Sequence, residues 1–149
     1  MIVTRWISYR ISQGFALACL VLVAASAANA DEALTARNKQ VVRDFYTAVM
    51  IGRNVDAAPR FVRPDYIQHN PGVPTGLKGF MDAFRVGFAK RPPADYKREL
   101  LNVVGDDDMV VIYVRQSGTG PDGVHRVALE FDMFRLQGGM IAEHWDNGE

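Results

Sequence analysis

The stretch that most constrains the fold is a pair of glycines between two runs of alternating apolar and polar residues. The first run is Leu129–Arg135, the turn is Gly138–Gly139, and the second run is Met140–Asp146. Glycine supplies the positive φ angles that a tight two-residue turn requires, and side chains of a strand alternate between two faces. The sequence therefore predicts a β-hairpin.

The register of this hairpin follows from its turn. If Gln137 faces Met140, Asp132 lies opposite Trp145 and Phe134 lies on the same face. That face carries a carboxylate among aromatic groups. Such an acid is either a solvated surface residue or a catalytic residue with altered basicity, and the hairpin alone leaves both possibilities open.

The N-terminus is typical of a secretory signal. Arg5 and Arg10 precede an uncharged stretch over residues 15–27, and residues 28–30 read Ala-Asn-Ala, a small-x-small cleavage pattern. We expect a signal peptide over residues 1–30, cleavage after Ala30, and a periplasmic or secreted protein without membrane attachment. An uncleaved membrane anchor is the alternative, although the apolar run is short for a span.

What remains, residues 31–149, suits one globular domain with a real core, since 48% of the whole chain is hydrophobic. The formal charge is zero and no basic block is present, which argues against nucleic-acid binding. The only cysteine, Cys19, falls in the signal, in a poor context for lipid attachment. The mature protein is therefore expected to have no disulfide, thiol nucleophile or thiolate ligand.

Helical patterns come first along the chain, and strand patterns follow. Helices are predicted from Asp31, Asn54 and Thr75 as N-caps, the last with a phenylalanine stripe best explained as core. Residues 65–71 form a short extended piece between the second and third helices. Strands are expected over residues 96–104, 109–118, 124–136 and 140–146. This order predicts an α+β fold with the helices on one face of a curved antiparallel sheet.

Three separated motifs resemble one family. They are Tyr66-Ile-Gln-His-Asn-Pro71, Asp132-Met-Phe-Arg135, and Gly139 with Glu143-His-Trp-Asp146. In this order they resemble the SnoaL-like, polyketide cyclase-like branch of the nuclear transport factor 2-like superfamily, over most of residues 34–146. The resemblance implies a cone of three N-terminal helices packed on a curved antiparallel sheet, a fold that hosts several enzyme activities and plain binding modules.

The resemblance also implies roles for residues. In the family's polyketide cyclases, an aspartate on the penultimate strand is the base for an intramolecular aldol closure that needs no metal or cofactor; Asp132 matches it. Ketosteroid isomerases use an acid at a similar position as a hydrogen-bond donor to an oxyanion. His69, in the Gln-His-Asn-Pro stretch, is expected to point towards the same cavity.

A second register assumption completes the predicted pocket. If Thr119 faces Val124, one concave face carries Val111, Tyr113, Arg115, Glu130, Asp132, Phe134 and Trp145. Tyr66 is a further candidate for the pocket wall, with a core aromatic as the alternative. The opposite face would show Leu129, Phe131 and Met133, which is too apolar for water and suggests a homodimer through the outer sheet face.

The predicted chemistry is removal of a proton α to a carbonyl by Asp132, with His69 or Tyr113 donating to the enolate oxygen. Each assignment has an alternative. Asp132 could pair with Arg115 or Arg135, His69 could stabilise a turn, and His144 is expected on the outer face because it alternates with Trp145. A scattered metal set of His69, Asp132 and His144 lacks the spacing of a metal motif, so no metal is predicted.

Two classes of function remain open. One is an exported, cofactor-free enzyme that enolises, cyclises or isomerises a small hydrophobic carbonyl compound. The other is a non-catalytic pocket protein that binds a small apolar ligand or a protein partner. An Asp132 that faces a closed cavity without an arginine partner would favour the enzyme, and a bidentate arginine would favour a structural role.

Overall fold

The computed structural model describes residues 29–146. The chain divides into two compact units, Met1–Leu34 and Thr35–Glu149. Of the first unit, residues 29–34 are described and are α-helical. The predicted signal peptide over residues 1–30 therefore lies almost wholly outside the described residues. Within residues 29–146, no helix is both long and apolar enough to cross a membrane.

The predicted start of the first helix is wrong. Asp31 was expected to be its N-cap, but residues 29 and 30 are already helical. Alanine has the highest helix propensity of all residues, so Ala30 continues the helix without a capping side chain. Asp31 is an exposed residue within the helix.

The second unit has three helical segments before residue 97, and one short strand, Val62–Gln68, lies between the second and the third. Helix α1 covers residues 35–45 and continues as a π-helical turn, Tyr46–Ile51, which Gly52 ends as predicted. A 3₁₀ helix, Val55–Arg60, follows Asn54. Helix α2, Leu77–Ala89, begins after Gly76 rather than Thr75, because the Thr75 hydroxyl bonds to the backbone of Gln68 instead.

The described residues contain five strands: β1, Val62–Gln68; β2, Lys97–Asp106; β3, Met109–Thr119; β4, His125–Gln137; and β5, Met140–Asp146. They form one sheet in the order β1-β5-β4-β3-β2. Neighbouring strands are antiparallel except for β1, which the sequence predicted as a short extended piece and which runs parallel to β5.

The core lies between the helices and one face of the sheet. That face contributes the fully buried Val110, Ile112 and Val114 of β3, and α1 contributes Phe45, whose ring centroid lies 5.9 Å from that of Phe134. Each such side chain stabilises the fold by roughly 1.5–3 kcal/mol on full burial. The helices-on-sheet α+β plan predicted from the sequence is confirmed.

Candidate functional site

A cavity of about 230 Å³ opens between α1, its π-helical turn, α2 and the concave face of the sheet. Most of its wall is apolar and aromatic. The apolar lining residues are Phe45, Met50, Val62, Val73, Phe80, Phe84, Phe134 and Ile141. The polar lining residues are Tyr46, Tyr66, Gln68, Asn70, Arg98, Glu130, Asp132, His144 and Asp146. A mainly apolar cleft with a few convergent polar groups is the usual form of a small-molecule site.

Asp132 and His144 form the centre of the polar wall. The Asp132 Oδ1 atom lies 3.1 Å from the His144 Nε2 atom, and their side chains are 13% and 11% exposed. The Phe134 ring covers the imidazole at 4.8 Å between centroids. A carboxylate and an imidazole in contact inside a cavity are a common acid–base pair of enzymes.

Asn70 organises the rest of this wall. Its side-chain amide donates to both carboxylate oxygens of Asp146, at 2.8 and 2.9 Å. Its backbone N–H donates to Gln68 Oε1 at 3.2 Å, and the same oxygen lies 2.9 Å from His144 Nδ1. The stretch Gln68-His69-Asn70 therefore places its first and third residues in the cavity.

Two further polar groups of the lining have no partner. Within residues 29–146, the Tyr46 hydroxyl and the Arg98 Nε atom are buried without a hydrogen bond. Arg98 Nη2 forms a loose ion pair with Glu130 at 3.7 Å, and its guanidinium carbon lies 5.7 Å from the Tyr46 ring centroid. An unsatisfied buried polar group costs about 1–3 kcal/mol, so these two donors lower the stability of the free protein.

Burial keeps both cavity tyrosines protonated. It raises the pKa of Tyr46 well above its ordinary value, with a further increase from the negative charges of Asp132 and Glu130 that Arg98 partly opposes. Burial likewise raises the pKa of Tyr66. Tyr46 is therefore a hydrogen-bond donor, not a base, at ordinary pH.

The predicted β4–β5 register is wrong beyond its first two pairs. Gln137 faces Met140 as expected, but an irregularity at Ala142 shifts the pairs that follow, so Phe134 faces His144 and Asp132 faces Asp146. A one-residue bulge exchanges the two faces of a strand. His144 consequently lies in the cavity and Trp145 lies outside it, opposite to the prediction.

The bulge has a physical reason. Without it, Glu143 would face the apolar core beside Phe134, and burying a carboxylate there is costly. With it, Glu143 lies on the outer face, where it accepts a hydrogen bond from Arg135 Nε at 2.6 Å and contacts His69 Nε2 at 2.9 Å. The His69 and Arg135 hydrogen bonds lower the pKa of Glu143.

The predicted β3–β4 register is wrong by one residue. Thr119 faces His125 rather than Val124, so Ile112 lies opposite Asp132. Asp95 fixes this pairing, since its carboxylate accepts hydrogen bonds from the backbone and hydroxyl of Thr119 and lies 3.2 Å from His125 Nδ1.

Three predicted pocket residues of β3, Val111, Tyr113 and Arg115, are therefore placed on the opposite face of the sheet. Tyr113 stacks on Phe131 on the outer face, with ring centroids 4.7 Å apart. Arg115 pairs there with Glu99 at 2.9 Å. Neither side chain lines the cavity, so the role of Tyr113 as an enolate donor is not supported.

His69 is also misplaced in the prediction. It lies outside the cavity, stacked on Trp145 with ring centroids 4.4 Å apart and planes within 4°. His69 follows the last residue of β1, and its imidazole contacts Glu143 rather than the cavity wall that Gln68 and Asn70 line. Of the residues predicted for the pocket, Asp132, Phe134, Tyr66 and Glu130 line the cavity; their roles stay predictions.

Neither arginine named as an alternative partner of Asp132 contacts it. Arg115 pairs with Glu99 and Arg135 pairs with Glu143. Among the ion pairs of the described residues, Asp132 takes part in the one with His144.

The same wall is the nearest approach to a metal site in the described part of the chain. Asp132, His144 and Asp146 each offer a ligand atom, all within 4.8 Å of one another. In this structure Asp132 contacts His144, His144 contacts Gln68, and Asp146 accepts hydrogen bonds from Asn70. The absence of a metal stays a prediction.

Among the polar residues of the cavity, sequence reasoning missed six: Tyr46, Gln68, Asn70, Arg98, His144 and Asp146. Tyr46 fits the apolar period of α1, which predicts a core residue. Gln68 and Asn70 were visible as the alternating neighbours of His69. Nothing in the local pattern indicated the bulge that turns His144 inward.

The sequence profile of the SnoaL-like domain matches residues 42–144. No curated protein sequence matches the chain. Among solved structures, TsrD from Streptomyces laurentii is 25% identical with a TM-score of 0.62, over 75% of this chain and 87% of that one. A candidate polyketide cyclase from Acidithiobacillus ferrooxidans is 18% identical with a TM-score of 0.61, over 74% and 86%.

A third similar structure is an LEH-like epoxide hydrolase from M. tuberculosis. It is 16% identical with a TM-score of 0.58, and the match covers 75% of this chain and 82% of that one. At such identities the likeness to these last two proteins concerns the fold.

Proposed function

This chain belongs to the SnoaL-like family of the nuclear transport factor 2-like superfamily, and we propose that it is a cofactor-independent enzyme that enolises a small carbonyl compound. The observation that carries the proposal is Asp132, which faces a partly open, mainly apolar cavity and contacts His144 rather than an arginine. A carboxylate neutralised by a bidentate arginine is a poor base, whereas one beside an imidazole exchanges protons readily.

The proposed reaction begins with proton transfer to Asp132. The C–H bond α to the carbonyl breaks, an O–H bond forms on the carboxylate, and the electron pair moves to the carbonyl oxygen. The Tyr46 hydroxyl and Arg98 Nε–H are the donors offered to that oxygen, in place of the predicted His69 and Tyr113.

Two outcomes follow from the same enolate. In an isomerisation, Asp132 returns the proton to a different carbon. In an aldol-type cyclisation, the enolate carbon bonds to a second carbonyl carbon of the substrate, and the alkoxide formed there takes the proton. Both outcomes restore the carboxylate and need no redox partner.

The cavity favours a small substrate. Its volume of about 230 Å³ is below the roughly 300–1,000 Å³ of sites for drug-sized ligands. The apolar and aromatic wall suits a ligand with an apolar skeleton. The Asp132–His144 pair and the Tyr46 and Arg98 donors suit a ligand with at least two oxygen functions.

The experiment is α-proton exchange in heavy water, which requires no knowledge of the natural substrate. A panel of small cyclic ketones and 1,3-diketones is incubated with the protein, and deuterium incorporation is followed by NMR. We expect Asp132→Asn to lower the rate of catalysed exchange by about 10²–10⁴-fold, the usual contribution of a general base. Asp44→Asn, the same change at an exposed position, should leave it unchanged.

Equal exchange by the wild type and Asp132→Asn would show that Asp132 is not the base. Thermal shift measures whether the probe ketones bind. If they bind and neither protein catalyses exchange, the non-catalytic alternative is correct. The chain is then a non-catalytic pocket protein, for which Tyr46 and Arg98 supply ligand contacts alone.

We also propose a homodimer through the outer sheet face and export by the N-terminal signal. Support for the dimer is the exposed apolar face of β4, where Val127 and Leu129 are 58% and 51% exposed. Support for export is the Ala28-Asn29-Ala30 cleavage pattern after a charge-free stretch. A mature N-terminus that still begins at Met1, found by N-terminal sequencing of the protein expressed with its own leader, would contradict cleavage.

A further inference from the structure

We infer that Gln68 is a positioning residue that holds His144 in one tautomer, so that His144 and Asp132 share a single proton. The inference deepens the proposed function, because it concerns the same acid–base pair. It rests on the hydrogen bonds that reach the two ring nitrogens of His144 from β1 and β4.

The orientation of the Gln68 side chain is the first step. The backbone N–H of Asn70 points at one end of the amide, at 3.2 Å. A backbone N–H only donates, so the amide atom that faces it must be the oxygen, Oε1. The alternative orientation would place an NH₂ group against an N–H group.

The protonation of His144 Nδ1 follows from this orientation. Gln68 Oε1 lies 2.9 Å from Nδ1, and an amide oxygen only accepts hydrogen bonds. Nδ1 must therefore carry a hydrogen. The hydrogen bond at one ring nitrogen sets the state of the other, which leaves Nε2 as the atom that gains or loses a proton.

The Nε2 atom faces Asp132 Oδ1 at 3.1 Å. If neither atom carried a proton, two lone pairs would oppose each other at hydrogen-bond distance, which is unfavourable. One proton therefore lies between them, either on the imidazole or on the carboxyl. The second carboxylate oxygen of Asp132 stays available to a substrate.

The other charged group near the ring does not displace Gln68. Asp146 Oδ2 is 3.9 Å from Nδ1, beyond hydrogen-bond distance. The Asn70 amide holds both oxygens of Asp146. Asn70 thus acts twice, once on Gln68 through its backbone and once on Asp146 through its side chain, and Phe134 covers one face of the ring.

Parallel pairing of β1 with β5 makes the arrangement possible. Gln68 and His144 are direct partners in that register, although they lie 76 residues apart in sequence. Gln68, the last residue of β1, supplies the acceptor, and Asn70, two residues later, supplies the donor that orients it.

The test is two-bond ¹⁵N–¹H correlation NMR of the histidine rings, on the whole mature protein at neutral pH without substrate. Protonated and unprotonated ring nitrogens have well-separated ¹⁵N shifts. The chain has three histidines, so His69 and His125 are internal references and His144→Gln assigns the remaining signals. We expect a protonated Nδ1 for His144 in the wild type.

Two variants separate positioning from general stability. Gln68→Met has no acceptor at this place, and we expect it to lose the protonated Nδ1 signal of His144 in favour of the Nε2–H tautomer. Gln68→Glu keeps an acceptor and should keep the signal. The His69 and His125 patterns should not change in either variant.

An unprotonated Nδ1 in the wild type overturns the inference, whether or not the variants fold. So does a Gln68→Met spectrum identical to the wild type. Failure to find any exchanged ketone would count against the proposed function alone, since the ring spectrum requires no turnover.

Discussion

At the scale of single residues, the cavity holds polar groups of two kinds. Asp132, His144, Gln68 and Asn70 bond to one another, whereas the Tyr46 hydroxyl has no partner among the described residues. A satisfied network fixes geometry, and an unsatisfied donor stores free energy that a ligand oxygen can recover. The two kinds therefore suit proton transfer and substrate anchoring respectively.

Tyr46→Phe should stabilise the free protein while it weakens function. Removing an unsatisfied buried hydroxyl eliminates a penalty of about 1–3 kcal/mol, which urea unfolding measures. Loss of a donor to the enolate should lower exchange activity by about 10²–10³-fold, if Tyr46 acts as such a donor.

Tyr96→Phe is the matched control for this prediction. The Tyr96 hydroxyl donates to Gln116 Oε1 at 2.6 Å, so its removal should cost about 1 kcal/mol rather than stabilise. A destabilised Tyr46→Phe variant would mean that its hydroxyl has a partner in solution.

At the scale of elements, the β4–β5 hairpin explains both a correct and an incorrect prediction. Its turn is as predicted, with φ angles of 60° at Gly138 and 76° at Gly139. Its register fails two pairs later, because the bulge at Ala142 is set by where Glu143 finds charged partners. Those partners are Arg135 of β4 and His69, which follows the end of β1.

Gly138→Ala should destabilise the protein by about 1–2 kcal/mol, the cost of a left-handed conformation for a residue with a Cβ atom. Gly87→Ala is the control, since Gly87 lies in α2 with open space around its Cα atom. There the same change should stabilise by about 0.5–1 kcal/mol. Equal effects in denaturant unfolding would show that the turn does not require positive φ.

Asp95 gives the β3–β4 pairing a predictable pH dependence. Hydrogen bonds from Thr119 lower its pKa from 3.8 to about 2. Because the folded pKa is below the unfolded one, the ionised carboxylate stabilises the fold above about pH 4, and this contribution is lost as the pH falls towards 2.

Asp95→Asn should therefore lower the free energy of unfolding at pH 7, and the difference from the wild type should shrink between about pH 4 and pH 2. Unfolding curves at several pH values measure it. Asp106→Asn, an exposed carboxyl at the end of β2, is the control. A difference that is constant with pH would contradict the linkage.

At the scale of the whole molecule, the sheet has two faces with different tasks. The concave face encloses the cavity, and the outer face exposes Val104, Val127, Leu129 and Phe131. An exposed apolar patch of this kind is usual for a surface that binds another protein. The alternation within β4 predicted this face correctly. The predicted pairing of β4 with β3, in contrast, is wrong by one residue.

Leu129→Glu should shift the protein from dimer to monomer in sedimentation velocity, since a charge at the centre of an apolar interface is costly to bury. Val86→Glu is the control, because Val86 is an exposed apolar residue of α2, away from the sheet face. A sedimentation profile that both variants share with the wild type would contradict the proposed interface.

The sequence by itself determined the order of the elements, the Gly138–Gly139 turn and which β4 residues share a face with Asp132. These depend on periodicity and turn chemistry, which are local. Tertiary structure alone decided that His144 enters the cavity, that Trp145, Tyr113, Arg115 and His69 do not, and that Tyr46 and Arg98 face it. Those placements depend on a bulge, a five-residue loop, a π-helical turn and a parallel strand pair. Each is settled by contacts between distant segments, and a one-residue change in any register exchanges the inner and outer faces of a strand.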